Sequence, residues 1–218
     1  YMSLSFYYCY DAWCGWCYGF SPVIQSIAKR YADSIAVEAL SGGMILPEAP
    51  VHISASAGYI LKAYPDVEVR SGVRFGEDYL WHLRNPDLSD WFPHSEKSAI
   101  ALSIFKEIYP AKQVSFVADL QHALFAEGRD LTDDEAYRHL LEKYSIAPEM
   151  FYEKLHDEAY RDAAHEEFAL CKQLKVTGFP TLFLQVSDTK FYMIARGYTP
   201  EEQIIESIER IRTEMAGN

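Results

Sequence analysis

Two cysteines separated by two residues, Cys14 and Cys17, stand where a predicted strand passes into a predicted helix. Residues 4–10 before them are aromatic and apolar throughout, which is typical of a strand covered on both faces. After them, apolar residues recur at helical spacing up to Tyr31. Cys14 is therefore expected at a helix N-terminus, where unpaired N–H groups and the helix dipole favour a thiolate. Cys17, one turn further on, can reach the same sulfur and form a disulfide.

A Cys-x-x-Cys spacing occurs both in dithiol redox pairs and in halves of zinc sites. A structural zinc site needs four ligands, and an iron–sulfur cluster needs four cysteines. The other two cysteines, Cys9 and Cys171, stand alone, and the seven histidines are scattered singly. The sequence therefore favours a redox pair and predicts no metal site, with zinc as the weaker alternative. We expect Cys9 to be buried and inert, and nothing beside Cys171 is expected to activate its thiol.

The composition excludes several classes of partner. The 218 residues carry a formal net charge of −12, which argues against nucleic acid and anionic membrane surfaces, because both require basic patches. No apolar run reaches the length of about 18 residues that spans a membrane. The chain opens without a basic, apolar leader at residues 1–4, and four cysteines are too few for a disulfide scaffold. The sequence thus predicts a cytoplasmic protein, although a removed signal peptide would leave the same beginning.

The rest of the chain alternates between two kinds of pattern. A second strand is predicted over 34–40, which completes a βαβ unit. A helix over 157–175 precedes a strand hairpin, and Thr199 is expected to cap a final helix. The residues between these two regions show only helical patterns, with a capping box predicted at Thr132 and Glu135. The predicted helices of this region cover 51–63, 76–84, 95–108, 112–127, 133–144 and 149–156, and the predicted strands of the hairpin cover 181–186 and 190–195.

These patterns predict an α/β protein with one mixed sheet and flanking helices. An all-helical insertion interrupts the sheet. The expected division is a discontinuous α/β domain, residues 1–48 and 157–218, and a helical insertion domain, residues 49–156.

Three motifs carry a resemblance to a known family, namely residues 14–20, residues 42–44 and residues 177–181. Together with the layout, they resemble the thioredoxin fold. The helical insertion further resembles the DsbA family, and within it the cytosolic FrnE-like branch, in which Cys-x-Trp-Cys-Tyr-Gly recurs at the active site.

The resemblance implies roles for four residues. Cys14 would be the exposed nucleophile and Cys17 the buried resolving thiol. Pro180 would be a cis-proline facing the disulfide, and Phe179 would offer backbone hydrogen bonds to an extended substrate. The implied activity is thiol–disulfide oxidoreduction of proteins or peptides through a mixed disulfide. It needs no cofactor, although glutathione is a candidate co-substrate, and the direction of the reaction stays open between reductase, oxidase and isomerase.

Thioredoxin-like sites often contain a buried carboxylate that accepts the proton of the resolving thiol. Asp11, close to the turn, is one candidate, and Glu38 is another only if it points inward beneath Cys17. Trp13 and Trp16 are candidate substrate-binding aromatics. Because an uncharged tryptophan stands between the cysteines, we expect a less oxidising protein than the periplasmic DsbA type.

Two further functions stay open. A glutathione-binding transferase or isomerase, of the kappa-class or hydroxychromene-carboxylate-isomerase type, shares the insertion, although serine commonly replaces the nucleophilic cysteine there. A non-enzymatic, chaperone-like protein would bind partners through its aromatic surface and would not need Cys14.

Overall fold

The computed structural model describes residues 3–217, so the expectation placed on the first two residues lies outside the described part of the chain. Strand β1 spans Leu4–Tyr10, helix α1 spans Gly15–Arg30 and strand β2 spans Ile35–Ser41. The hairpin near the other end consists of β3, Thr181–Ser187, and β4, Lys190–Arg196. Each of these elements lies within one or two residues of its predicted bounds.

The four strands form one mixed sheet in the order β2-β1-β3-β4. β2 runs parallel to β1, and β3 runs antiparallel to both β1 and β4. The predicted α/β fold class with a mixed sheet is confirmed. The division into two domains stays a prediction.

Helices fill the chain between β2 and β3, and one more follows β4. Most agree with the predicted ranges. In chain order they are α2 Ala57–Ser71, α3 Glu77–Arg84, α4 Glu96–Ile108, α5 Gln113–Phe125, α6 Arg138–Lys143, α7 Pro148–Leu155, α8 Glu158–Gln173 and α9 Glu201–Ala216. Within residues 3–217, no helix combines the length and apolarity needed to cross a membrane.

Helix α2 differs most from its prediction, which placed a helix over 51–63. Residues Ile53–Ala55 form a separate 3-10 turn, and α2 then continues through Pro65 to Ser71. The helix continues because Tyr64 and Val67 pack against the core on the same face. The apolar periodicity therefore outweighs the hydrogen bond that the proline lacks.

Two predicted helix caps are also wrong. Asp133, not Thr132, accepts the hydrogen bond from the backbone N–H of Glu135. Thr199 does not cap α9, because its hydroxyl donates to the carbonyl of Gly197. In both places the side chain that the sequence pattern assigned to the cap forms a hydrogen bond with a nearby residue instead.

The two faces of the sheet bury different clusters, because side chains alternate along a strand. Phe6, Tyr8 and Tyr10 belong to the main core with α1. Cys9 points to the opposite face and packs in a small cluster with Cys171 of α8 and two other apolar side chains. This alternation keeps the second pair of cysteines away from the face on which α1 lies.

The outer edge of β2 is closed by side chains of the helical region. The backbone N–H of Ala39 donates to the amide oxygen of Gln113 over 2.9 Å. Two residues further on, the N–H of Ser41 donates to the carboxylate of Glu167 over 2.9 Å. Backbone groups on an outer strand edge otherwise lack partners within the sheet. Helices α5 and α8 are thus joined to the sheet through its backbone.

Candidate active site

Cys14 is the N-cap residue of α1. Its backbone is extended, and its sulfur accepts the N–H of Cys17 over 3.3 Å. The N–H of Cys14 donates in turn to the carbonyl of Asp11 over 3.1 Å, which closes the turn between β1 and α1. A sulfur therefore takes the capping place that oxygen side chains usually occupy. The Cys14 sulfur therefore lies at the electropositive N-terminus of α1.

The loop before β3 lies across the site from the dithiol. The Phe179–Pro180 peptide bond is cis, and the Cys14 thiol donates to the carbonyl of Phe179 over 3.6 Å. The N–H of Gly197 donates to the Pro180 carbonyl over 2.8 Å and holds the loop from the β4 side. Gly42 lies so close to the Phe179 ring that a side chain at this position would overlap it. The site is thus formed by segments that lie far apart in the sequence, near its beginning and near its end.

The two thiols are more enclosed than predicted. Cys17 is 0% exposed and Cys14 only 6% exposed, and both are free thiols. The expectation of an exposed Cys14 is therefore wrong, because Cys14 is buried where the Phe179 loop lies against it. Burial raises the pKa of Cys17 well above its usual range, and the adjacent Cys14 sulfur raises it further. Cys17 is consequently held in its protonated form in the reduced site.

Asp11 lies beside the dithiol and is 2% exposed. Its two carboxylate oxygens accept the backbone N–H groups of Trp13 and Met44, each over 2.9 Å. Burial raises the pKa of Asp11, while these two hydrogen bonds lower it. The negative charge of Asp11 also raises the pKa of Cys17. Asp11 therefore holds the turn and the loop after β2 together, and its role as a proton acceptor stays a prediction.

Glu38 does not lie beneath Cys17, so the prediction that Glu38 could accept the proton of Cys17 is wrong. In the pairing of the two parallel strands Glu38 stands opposite Tyr7, and paired residues share a face of the sheet. That face is the opposite of the one to which Tyr8 contributes in the core with α1. The Glu38 carboxylate instead accepts a hydrogen bond from Lys106 over 2.8 Å.

The two tryptophans of the site differ in accessibility. Trp13 is buried and meets Trp91 edge to face, with ring centroids 6.0 Å apart. Trp16 is half-buried, and its ring lies 6.2 Å from the ring of Tyr198. Trp16 is thus the more open of the two predicted substrate contacts.

A narrow apolar cleft beside Gly15 and Trp16 is a feature that sequence reasoning missed. It encloses about 90 Å³, and α2 contributes Tyr64 and Val67 to its wall, with Phe75 from the following loop. Tyr64 and Val67 belong to the part of α2 that the prediction omitted, whereas residues 59, 60 and 63, which also line the cleft, belong to the part that it included. The helical spacing from Ile60 through Tyr64 to Val67 was the available signal.

A second apolar surface follows β2. Met44, Leu46 and Val51 are each more than a third exposed, and they border a cleft of about 470 Å³ that also includes His52. Phe92 lies against the His52 ring at 5.1 Å and is itself 45% exposed. Because the N–H of Met44 is bound to the Asp11 carboxylate, this surface begins directly beside the dithiol turn.

We expect the free energy of unfolding to fall as the pH rises above about 8.5, the ordinary pKa of a cysteine. Because the pKa of Cys17 is raised in the folded protein, the unfolded chain releases this proton at lower pH. The associated stability is complete below about pH 8.5 and is lost as the pH rises toward the folded-state pKa. Urea denaturation of the reduced protein between about pH 7 and pH 10 measures the effect. The Cys17→Ala variant should show a slope smaller by up to about 1.4 kcal/mol per pH unit; equal slopes would show that Cys17 has no part in it.

The mixed sheet, the dithiol at the start of α1 and the proline loop facing it define a thioredoxin-fold protein. The DsbA-like thioredoxin domain family matches residues 94–206, just over half of the chain, and the chain belongs to this family. The match covers helices α4 to α8, the proline loop, the hairpin and the first residues of α9, and it does not include the dithiol. The predicted DsbA resemblance is confirmed, whereas the FrnE-like branch stays a prediction.

Solved structures with this fold cover nearly the whole chain. A proposed protein disulfide isomerase from Nitrosomonas europaea is 22% identical, with a TM-score of 0.85 over 98% of this chain and 99% of its own. The cytosolic disulfide reductase DsbM from Pseudomonas aeruginosa is 24% identical, with a TM-score of 0.75 over 96% of this chain and 99% of its own. A 2-hydroxychromene-2-carboxylate isomerase is 13% identical, with a TM-score of 0.66 over 99% and 98%. No curated protein matches the chain. At these identities the structures show a shared fold alone.

Proposed function

We propose that the protein is a thiol–disulfide oxidoreductase that works through Cys14 and Cys17. The observation that carries this proposal is the Cys14 sulfur, which caps α1 by accepting the Cys17 N–H over 3.3 Å and faces the Phe179 carbonyl at 3.6 Å. The first sulfur thus lies at the electropositive start of a helix, and the second thiol belongs to the first turn of the same helix. Membership of the DsbA-like family supports the same reaction class.

The reaction is a pair of exchanges between sulfur atoms. The Cys14 thiolate attacks one sulfur of a substrate disulfide, forms a mixed disulfide and releases the other substrate sulfur as a thiolate. Cys17 then loses its proton and attacks the Cys14 sulfur, which releases the second substrate thiol and leaves the Cys14–Cys17 disulfide. Two electrons pass from the dithiol to the substrate. The reverse sequence oxidises a substrate dithiol.

Cys17 has to give up a proton during the second exchange. Asp11 is the buried carboxylate next to the turn, and its charge acts on Cys17, whereas Glu38 belongs to the other face of the sheet. We therefore propose Asp11 as the acceptor of this proton.

The surroundings support a polypeptide substrate. The exposed apolar side chains after β2 provide contact area for an extended chain, and the Phe179–Pro180 loop lies beside the sulfur at which exchange begins. A compartment that keeps thiols reduced is proposed as well, since four cysteines in 218 residues are too few for a disulfide scaffold and DsbM is described as a cytosolic reductase. DsbM is also known with GSH, which supports glutathione as a co-substrate here.

An equilibrium titration of the dithiol against glutathione redox buffers, followed by tryptophan fluorescence, tests the proposed function. Trp13 and Trp16 flank Cys14, so their emission should report the state of the pair. We expect a reversible two-electron transition at a potential more negative than about −120 mV, the value of the strong oxidant DsbA, because no cationic residue stands between the cysteines. A potential near or below about −250 mV would assign the protein to the reductases. If no disulfide between Cys14 and Cys17 forms at any potential, the proposed function is wrong.

A further inference from the structure

One guanidinium group lies directly over the aromatic rings at the dithiol. Arg70 stands in the last turn of α2, and its Cζ atom is 5.1 Å from the ring centroid of Trp16 and 5.5 Å from that of Tyr198. Trp16 is the residue between Gly15 and Cys17. Tyr198 follows the segment whose N–H holds the proline loop. Arg70 therefore lies where the α1 side of the site meets the β4 side.

Arg70 has no acidic partner among residues 3–217, and within the same range its side chain makes no hydrogen bond. Arg74, four residues further on, differs because it pairs with the Glu68 carboxylate over 3.4 Å. What distinguishes Arg70 from the other cations without an ion pair is its place over two aromatic rings beside the dithiol. The last turn of a helix favours any cation, and the faces of the two rings attract the guanidinium in addition.

The place of Arg70 over the two rings leaves its donors available. Its planar guanidinium presents a fork of N–H groups, and within residues 3–217 none of them is used in a hydrogen bond. This fork matches the two oxygens of a carboxylate and forms paired, charge-assisted hydrogen bonds with it. A phosphate would fit the same fork of N–H groups. The proposed reaction, however, requires a ligand that contains sulfur. Because peptides that contain sulfur carry carboxylates, a carboxylate is the ligand that fits both requirements.

A second guanidinium lies at the end of β4, next to the segment that leads into the proline loop. Arg196, at the end of β4, is exposed and donates to the hydroxyl of Thr177 over 3.3 Å. Within the described residues it makes no ion pair. Arg70 lies over Tyr198, which follows the Gly197 that bonds Pro180, and Arg196 contacts Thr177 before Phe179. The two positive charges favour an anionic ligand over a neutral one.

We propose that Arg70 binds a carboxylate of the reacting thiol and thereby makes the site selective for acidic peptide thiols over neutral ones. This inference rests on the proposed function. The carboxylate contact makes and breaks no covalent bond. The peptide thiolate attacks the Cys14 sulfur of the oxidised protein, a second peptide thiol resolves the mixed disulfide, and the two peptide thiols leave as one disulfide, while two electrons reduce the protein. Arg70 is a specificity-determining residue in this sequence of steps.

The test compares rate constants for reduction of the oxidised protein by two thiols, glutathione and the neutral 2-mercaptoethanol. Arg70→Gln should lower the second-order rate constant for glutathione about fivefold, which is the upper range for a solvent-accessible ion pair, and should leave that for 2-mercaptoethanol unchanged. Glutathione diethyl ester, whose carboxylates are blocked, should react equally with the wild type and with this variant. The matched control is Arg74→Gln, which removes an arginine from the same segment that already has an acidic partner and should change neither rate.

Each remaining outcome contradicts the inference in a distinguishable way. If Arg70→Gln slows both thiols equally, Arg70 supports the shape of the site and has no part in selectivity. If it slows neither, the guanidinium does not contact the substrate. If the wild-type disulfide reacts with no thiol at all, the proposed function fails and the inference fails with it. The unchanged reaction with 2-mercaptoethanol also serves as evidence that the variant is folded.

Discussion

The Cys14→Ser variant should lose thiol–disulfide exchange by roughly a thousandfold or more, the scale seen when a nucleophile is removed from an enzyme. The serine hydroxyl retains the capping hydrogen bond at the start of α1, so the fold should persist. It cannot form the thiolate or the mixed disulfide on which the reaction depends. Reduction of a peptide disulfide by the reduced protein, followed as the release of peptide thiols, measures the loss.

The Cys17→Ser variant should behave differently, because it removes only the resolving thiol. The Cys14 thiolate still attacks the substrate, but the mixed disulfide then accumulates and is detected as an increase in intact mass by one peptide. Cys171→Ala is the matched control, since Cys171 is buried on the opposite face of the sheet, and this variant should retain full activity. If Cys14→Ser kept the biological function, the chaperone-like hypothesis would replace the redox one.

The Lys106→Met variant should lower the free energy of unfolding by about 3–5 kcal/mol, the usual cost of removing one partner of a buried ion pair. The Nζ atom of Lys106 lies 2.8 Å from the Glu38 carboxylate and 3.2 Å from that of Glu167, and both Lys106 and Glu167 have side chains only 13% exposed. Burial raises the pKa of Glu167, and the Lys106 charge opposes this shift. Without the lysine, a carboxylate that also holds the N–H of Ser41 is left buried and unpaired.

Urea denaturation at neutral pH measures this loss. The double variant with Glu167→Gln should recover part of it, because the unpaired buried charge is then removed. Lys143→Met is the control: Lys143 pairs with Asp119 while its own side chain is 56% exposed, so its loss should cost less than about 1 kcal/mol. Equal losses for the two lysines would show that burial does not strengthen the pair around Lys106.

Local patterns in the sequence were sufficient to predict the strands of the sheet and the helix that follows Cys14. The strand before Cys14, the helix after it, the second strand and the later hairpin all depend on periodicity within one element. Their bounds were therefore correct to one or two residues. The pairing of the dithiol with residues 179 and 180 came from a family resemblance, because nothing local in the sequence joins segments so far apart.

The incorrect predictions concern features that depend on tertiary contacts. Glu38 was a candidate acceptor only because the sequence did not reveal which face of the sheet it would share, and this depends on the register with Tyr7. The predicted helix ended at residue 63, whereas packing of Val67 against the core carries α2 past Pro65. That error concealed part of the wall of the apolar cleft and the place of Arg70 on the helix. Thr132 and Asp133 are adjacent residues of types that both cap helices well, so the sequence alone could not show which of them forms the cap.

The closed edge of β2 decides where another polypeptide can extend this sheet. With Ala39 and Ser41 already bonded to Gln113 and Glu167, the backbone there has no vacant donors at these positions for an incoming strand. An incoming strand, from a bound peptide or from a second copy of the protein, would have to displace these two side chains to pair with β2. The side chains that dock the helices thus also protect this edge of the sheet against strand addition.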